Sequence, residues 1–218
     1  MGYDEGLYCG NLFQHYFLWA NLSNSLYFRQ NLHILENMKD VVACGRTYGN
    51  IGNSYYMLGD YATAVYYHNK RLDIARRYGD RAAMRRAYTN LGNAYIFLSE
   101  TAKALEYYRL ALSVAAELHD EVIEAQCCFN VGNGAAICGD HGTATEYHIR
   151  YLKLARNLGD RTAELRACAA LVIDFRKQRM VEKAIYFCVL QGHISIEVHY
   201  FLSFIYAVEI FTISFIIS

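Results

Sequence analysis

The sequence predicts an all-α solenoid of about four helix-turn-helix repeats, and three observations carry that prediction. The stretch from Arg85 to Tyr95 recurs forty residues earlier, from Gly45 to Tyr55, and forty residues later, from Ala125 to Asn133. A decayed copy runs from Leu165 to Leu171. A fixed period with internal similarity is the mark of a repeat array. The chain has no proline in 218 residues, where average usage gives roughly ten, as expected of helices without breakers. An aspartate stands at 40, 80, 120 and 160, in the position of a helix N-cap.

Residues 1–25 fit the repeat least. Tyr8 aligns with Tyr48, but Leu12 and Phe13 stand where Gly52 and Asn53 would be, so this segment reads as a degenerate repeat or as foreign sequence. Residues 26–40 read as a partial repeat, with Leu26 to Met38 its second helix. Full repeats follow at 41–80, 81–120 and 121–160, and a partial one at 161–187. In each, a first helix of about 17 residues (Ala82 to Leu98, for example) is followed by a turn, such as Gly59-Asp60, Ser99-Glu100 or Gly139-Asp140. A second helix follows, as from Thr101 to Leu118. Its apolar residues recur at 104, 105, 108, 111, 112 and 115, the spacing of one buried face. Ala64, Ala104, Ala144 and Ala184 share a register position, as do Gly52, Gly92 and Gly132. A glycine inside a helix costs roughly 1 kcal/mol against alanine, so its recurrence demands a packing reason, read here as a close helix crossing. In the fourth repeat Val172 and Ile173 replace the Gly-Asn pair. Residues 188–218 are apolar and not repeat-like. They read as an altered tail, a cap on the last repeat, or a membrane anchor through 200–218, although Glu209 interrupts that span.

Lys plus Arg and Asp plus Glu are equal at 21 each, which excludes the strong basic field of a nucleic-acid binder. The seven cysteines form no Cys-x-x-Cys pair and read as core thiols of a reducing compartment. Asp4 and Glu5 speak against a signal peptide, and Gly6 breaks the myristoylation pattern.

Function is expected from the polar residues at i, i+4 and i+7 of each first helix. They are Arg46, Asn50 and Asn53; Arg86, Asn90 and Asn93; Gln126, Asn130 and Asn133; and Arg166 alone in the fourth repeat. This spacing places each set on one helical face. Side-chain amides offer donors and an acceptor to the main chain of an extended peptide, and arginines add bidentate contacts to its carboxylates. The competing reading is that the amides bond to neighbouring repeats and stiffen the array. No nucleophile, base and oxyanion site assembles, so no enzymatic activity and no cofactor or metal is expected. His68 and His148 share a register with Tyr108 and read as packing residues. Gly132-x-Gly134 lies within a helical pattern with no strand before it, against a nucleotide loop.

Leu91-Gly92, Tyr95, Ala104, Tyr108 and Ala111 resemble the tetratricopeptide (TPR) pattern, which makes the predicted fold a TPR-type α-α superhelix. The forty-residue period, with Gly79-Asp80-Arg81-Ala82-Ala83 running through to Ile96-Phe97-Leu98, is similar to the Partner of Inscuteable (Pins/LGN, G-protein-signalling modulator) family. The resemblance spans roughly residues 27–187. It implies a cytoplasmic scaffold at the cell cortex, acting in spindle orientation, asymmetric division and cell polarity. Its groove would hold extended segments of Inscuteable-like and NuMA/Mud-like partners. Arg46, Asn50, Arg86, Asn90, Asn93, Asn130, Asn133 and Arg166 carry over as groove residues, while Gln126 stands where the pattern has arginine. Gα partners would need GoLoco motifs, and none is visible in this sequence. Two alternatives remain: a chaperone-type TPR that clamps a C-terminal carboxylate, disfavoured because the first helices contain no lysine, and a tail-anchored TPR membrane protein.

Overall fold

The computed structural model describes the backbone over residues 5–197 and the side chains over residues 20–197. Every regular element in that range is a helix: α1 (Glu5–Asn37), α2 (Val41–Met57), α3 (Tyr61–Tyr78), α4 (Arg81–Phe97), α5 (Thr101–Glu117), α6 (Glu121–Ile137), α7 (His141–Leu158), α8 (Arg161–Lys177) and α9 over residues 181–197. The chain forms two compact units, unit 1 over Met1–His119 and unit 2 over Asp120–Ser218. Within unit 1, α1 packs on α2, α2 on α3, α3 on α4 and α4 on α5, and the first helices α2 and α4 also touch. In unit 2, α6 packs on α7, α7 on α8, and α6 also reaches α8.

The turns follow one design. The residue before each N-cap position holds a left-handed backbone: glycine at 59, 79, 139 and 159, with φ of 81°, 67°, 82° and 67°, and Lys39, Ser99, His119 and Arg179 elsewhere. That conformation closes the preceding helix, as where Asp60 N–H donates to the Tyr55 carbonyl at 3.0 Å and Gly59 N–H to that of Tyr56 at 3.1 Å. The next residue opens the following helix. The carboxylate oxygens of Asp40, Asp60, Asp80, Asp120, Asp140 and Asp160 each accept a backbone N–H three residues on, at 2.8–3.1 Å. Each such cap contributes about 1 kcal/mol. Glu100 makes no such bond.

The repeated glycines have a sharper reason than a close crossing of backbones. Each lies under a ring from the second helix of its own hairpin. A Cβ at Gly52 would stand 2.7 Å from the His68 ring, one at Gly92 2.5 Å from Tyr108, and one at Gly132 2.4 Å from His148. The ring residue sits sixteen positions after its glycine each time. In the fourth repeat Val172 replaces the glycine, and Cys188, which is exposed, stands at the position of the ring residue.

Two segments depart from the repeat. α1 is unbroken from Glu5 to Asn37, with no turn near residue 20 where the repeat would place one. α9 continues past residue 187 to 197, its Ile194 buried and its Glu197 paired with Arg161 at 2.5 Å. Among the described residues no helix is long and apolar enough to cross a membrane. The expectation of an anchor at 200–218 lies outside the described residues. Cys44, Cys127, Cys128 and Cys168 are buried, whereas Cys138 and Cys188 are exposed. Burial pushes the Cys44 and Cys168 thiols up and the Cys128 thiol up to about 11, so they stay protonated near neutrality.

Candidate functional site

The caps and the glycine–ring contacts fix the rotation of each first helix, and so decide which side chains leave the core. In unit 1, Arg46, Asn50 and Asn53 of α2 are exposed. On α4, Arg86 is exposed, and Asn90 and Asn93 are half-buried. The intervening Ile51, Ala87 and Leu91 are fully buried. Of the two amide roles considered from the sequence, the structure carries bonds of the stiffening kind. Asn90 Nδ2 donates to Asn53 Oδ1 at 2.9 Å and ties α4 to α2, and Asn93 Oδ1 accepts from the Tyr108 hydroxyl at 2.8 Å. Each of these contacts uses one group of an amide that has donors and an acceptor to offer.

The arginines gather in a cleft of about 150 Å³ between α2, α3 and α4, where Arg46 and Arg86 meet Arg71. Arg71 was not among the residues singled out from the sequence. Its guanidinium lies across Gly49, where a Cβ would come within 2.2 Å of Nη1. Arg71 Nε and Arg85 Nε are buried and hydrogen-bond no protein group. Burial first, and then the Arg86 guanidinium, lower the Arg71 pKa, while Asp80 partly opposes them. Asp80 is the cleft's acidic residue, and one of its oxygens is already committed to capping α4. Among the described residues none of Arg46, Arg71, Arg85 and Arg86 forms an ion pair, although several arginines elsewhere do. Three guanidinium groups facing a single carboxylate leave an excess of positive charge that favours an anion over water. A sequence signal existed: Gly49 stands at the register of Thr89 and Phe129, and Arg71 at that of Ala111 and Tyr151. The two departures occur in the same repeat and answer each other.

A second hollow of unit 1, about 300 Å³, is lined by Asn53, Tyr56, Met57, His68, Asn90 and Asn93. His68 is buried at its base with Nδ1 bonded to no protein group. Burial, aided by Arg71, pushes its pKa down to about 4, so the ring is neutral at physiological pH.

In unit 2, Gln126 on α6 and Arg166 on α8 are exposed, and Asn130 and Asn133 on α6 are half-buried. His148 is buried here as His68 is in unit 1, but it is fully partnered. Its Nδ1 meets Asp174 Oδ2 at 2.6 Å and its Nε2 meets Asn133 Oδ1 at 3.2 Å. Asp174 is itself buried, and its other oxygen lies 3.4 Å from His141 Nδ1. The equivalent residues of the other repeats, Ser54, Ala94 and Gly134, carry no charge. Nothing in the repeat pattern therefore pointed to Asp174. Gly132 and Gly134 lie within α6, and Gly132 serves as the seat of the His148 ring. Among the described residues no cluster of His, Cys, Asp or Glu has the arrangement of a metal site.

Residues 44–117 match the sequence profile of the tetratricopeptide repeat. The chain carries a tetratricopeptide-repeat domain. The fold is shared with solved structures at low identity. BtubC from P. vanneervenii superposes with a TM-score of 0.78 at 18% identity, over 83% of this chain and 75% of that one. The apo form of RapI gives 0.74 at 16% identity, over 85% and 71%. A Rap protein complexed with competence and sporulation factor gives 0.67 at 18% identity, over 87% of this chain and 52% of that one. At such identities the likeness is one of fold. No curated protein matches the chain in sequence.

Proposed function

We propose that this chain is a non-catalytic interaction scaffold whose TPR surface binds an extended, acidic peptide segment of a partner protein. The observation that carries the proposal is the cleft lined by Arg46, Arg71 and Arg86 in unit 1, which form no ion pair among the described residues and whose Arg71 Nε hydrogen-bonds no protein group. A partner carboxylate entering the cleft supplies the missing charge. The neighbouring amides of Asn50, Asn53, Asn90 and Asn93 can meet the peptide main chain, whose groups are costly to dehydrate unpaired. The fold supports such a role, since it is shared with a Rap protein solved in complex with competence and sporulation factor. In unit 2, Gln126, Asn130, Asn133 and Arg166 form the corresponding set.

The finer reading is a part in spindle orientation and cell polarity at the cell cortex, with Inscuteable-like or NuMA/Mud-like segments as partners. It rests on the resemblance of the repeat motif to the Pins/LGN family.

The test is fluorescence polarisation with the full chain and a labelled Inscuteable-type peptide, alongside a twin in which every glutamate is glutamine. The glutamate peptide should bind, its twin should bind at least tenfold more weakly, and raising the salt should narrow the gap. Arg46→Ala with Arg86→Ala should abolish the preference. Equal binding of both peptides, or of neither, refutes the acidic-peptide reading.

A further inference from the structure

The hollow between α6, α7 and α8 in unit 2 is the counterpart, eighty residues on, of the amide-lined hollow between α2, α3 and α4 in unit 1. The position in the fold is the same and the chemistry is not. Tyr56, Asn90 and Asn93 in the first hollow correspond to Ala136, Ala170 and Ile173 in the second, while Asn53 and His68 keep their counterparts in Asn133 and His148. The fourth repeat thus lost its two asparagines to apolar residues, which reads from sequence alone as decay. In the structure those replacements face one cavity of about 330 Å³, to which Phe129 and Ala169 add further apolar surface.

The polar groups at the base of this cavity are satisfied among themselves. Both nitrogens of His148 are used, one by Asp174 and one by Asn133. Asp174 is about 1% exposed. A polar ligand group would therefore have to compete with an existing network, whereas an apolar group meets alanine, isoleucine and phenylalanine carbon. The size agrees: a cavity of about 150 Å³ accepts a benzene ring, so this one has room for one large side chain. At its edge stands Arg166, exposed and, among the described residues, in no ion pair. Its charge selects what accompanies the apolar group.

We propose that unit 2 holds a side-chain pocket, formed by Ala136, Ala169, Ala170 and Ile173 over the His148–Asp174 pair, that takes a branched aliphatic residue of a peptide partner whose adjacent acidic residue pairs with Arg166. This rests on the peptide-binding reading above and gives it a specificity: acid alone for the cleft of unit 1, aliphatic plus acid for unit 2.

The experiment uses the full chain and an array of short synthetic peptides, each with fixed glutamates and its other positions varied among Leu, Ile, Ser, Asn and Ala. Bound peptides should show one position, next to a glutamate, where Leu or Ile outperforms Ala and Ser by roughly tenfold. Ile173→Asn, a change at an exposed position, should erase that preference and leave the preference for glutamate intact. Ala170→Leu, which fills the cavity, should do the same. Circular dichroism melting of both variants confirms that they are folded. If peptides bind with an acidic preference but no position discriminates Leu from Ser, or if both folded variants keep the preference, the pocket is refuted and the acidic-peptide reading stands. If no glutamate peptide binds at all, both fall together.

Discussion

In unit 1 a buried histidine lies on Gly52 with its Nδ1 bonded to no protein group; in unit 2 the histidine of the same register lies on Gly132 with both nitrogens partnered. The fold holds the ring in each case, through a glycine that leaves room for it. What differs is the residue above the ring. Unit 1 offers buried Ala94 at the register where unit 2 offers buried Asp174. The same contrast runs through the two surfaces. Unit 1 has a cleft of arginines in no ion pair among the described residues and a hollow lined by amides, and unit 2 has Arg166, likewise in no ion pair among the described residues, beside an apolar cavity. A repeat array separates the residues that set the fold from those that set the surface, so two copies of one hairpin design can present opposite chemistry.

The largest effect expected from this contrast is on pH dependence. His68 titrates at about 4 in the folded protein, against about 6.5 when unfolded. The unfolded chain therefore takes up the proton first as pH falls, and stability drops between about pH 6.5 and pH 4 and is unaffected above that window. The loss from this residue is about 3 kcal/mol across the window. His68→Tyr places on Gly52 the ring that Gly92 already accommodates in Tyr108. Urea unfolding at pH 7 and at pH 4 should show a smaller acid loss in the variant than in the wild type. An equal loss in both proteins would mean that His68 is not held neutral by burial.

A smaller effect tests the ring seats themselves. Gly92→Ala and Gly132→Ala each drive a Cβ to within about 2.5 Å of a buried ring and should cost about 2 kcal/mol, despite the better helix propensity of alanine. Gly142→Ala on α7 meets only Asp140 Oδ1 at 3.6 Å and should stabilise by about 0.5–1 kcal/mol. Thermal melts of the three variants should move in these opposite directions. A destabilising Gly142→Ala would show that propensity does not govern that turn.

The helices from α2 to α8 were legible in the sequence because their signals are local. The aspartate caps, the forty-residue period and the buried face of each second helix act within a few residues of one another. The face carrying Arg46, Asn53, Arg86 and Asn93 was legible for the same reason. What the sequence did not disclose depends on pairs of residues far apart along the chain. The Gly49–Arg71 contact joins two departures from the repeat on different helices, and Asp174 matters only because His148 and His141 reach it from α7. Ala170 and Ile173 looked like decay because a lost asparagine has no meaning until the cavity it faces is seen. The unbroken run of α1 was likewise hidden, since residues 1–25 match the repeat too weakly to predict either a turn or its absence.

The central claim is that Arg71, seated over Gly49, receives a partner carboxylate together with Arg46 and Arg86. A double-mutant cycle tests it most directly, combining Arg71→Met in the full chain with replacement of each glutamate of a bound peptide by glutamine, followed by fluorescence polarisation. For one glutamate the coupling energy should exceed about 1 kcal/mol, as for a partly buried charge-assisted pair. Coupling near zero for every glutamate would contradict the account and leave the arginine cluster without a role in binding.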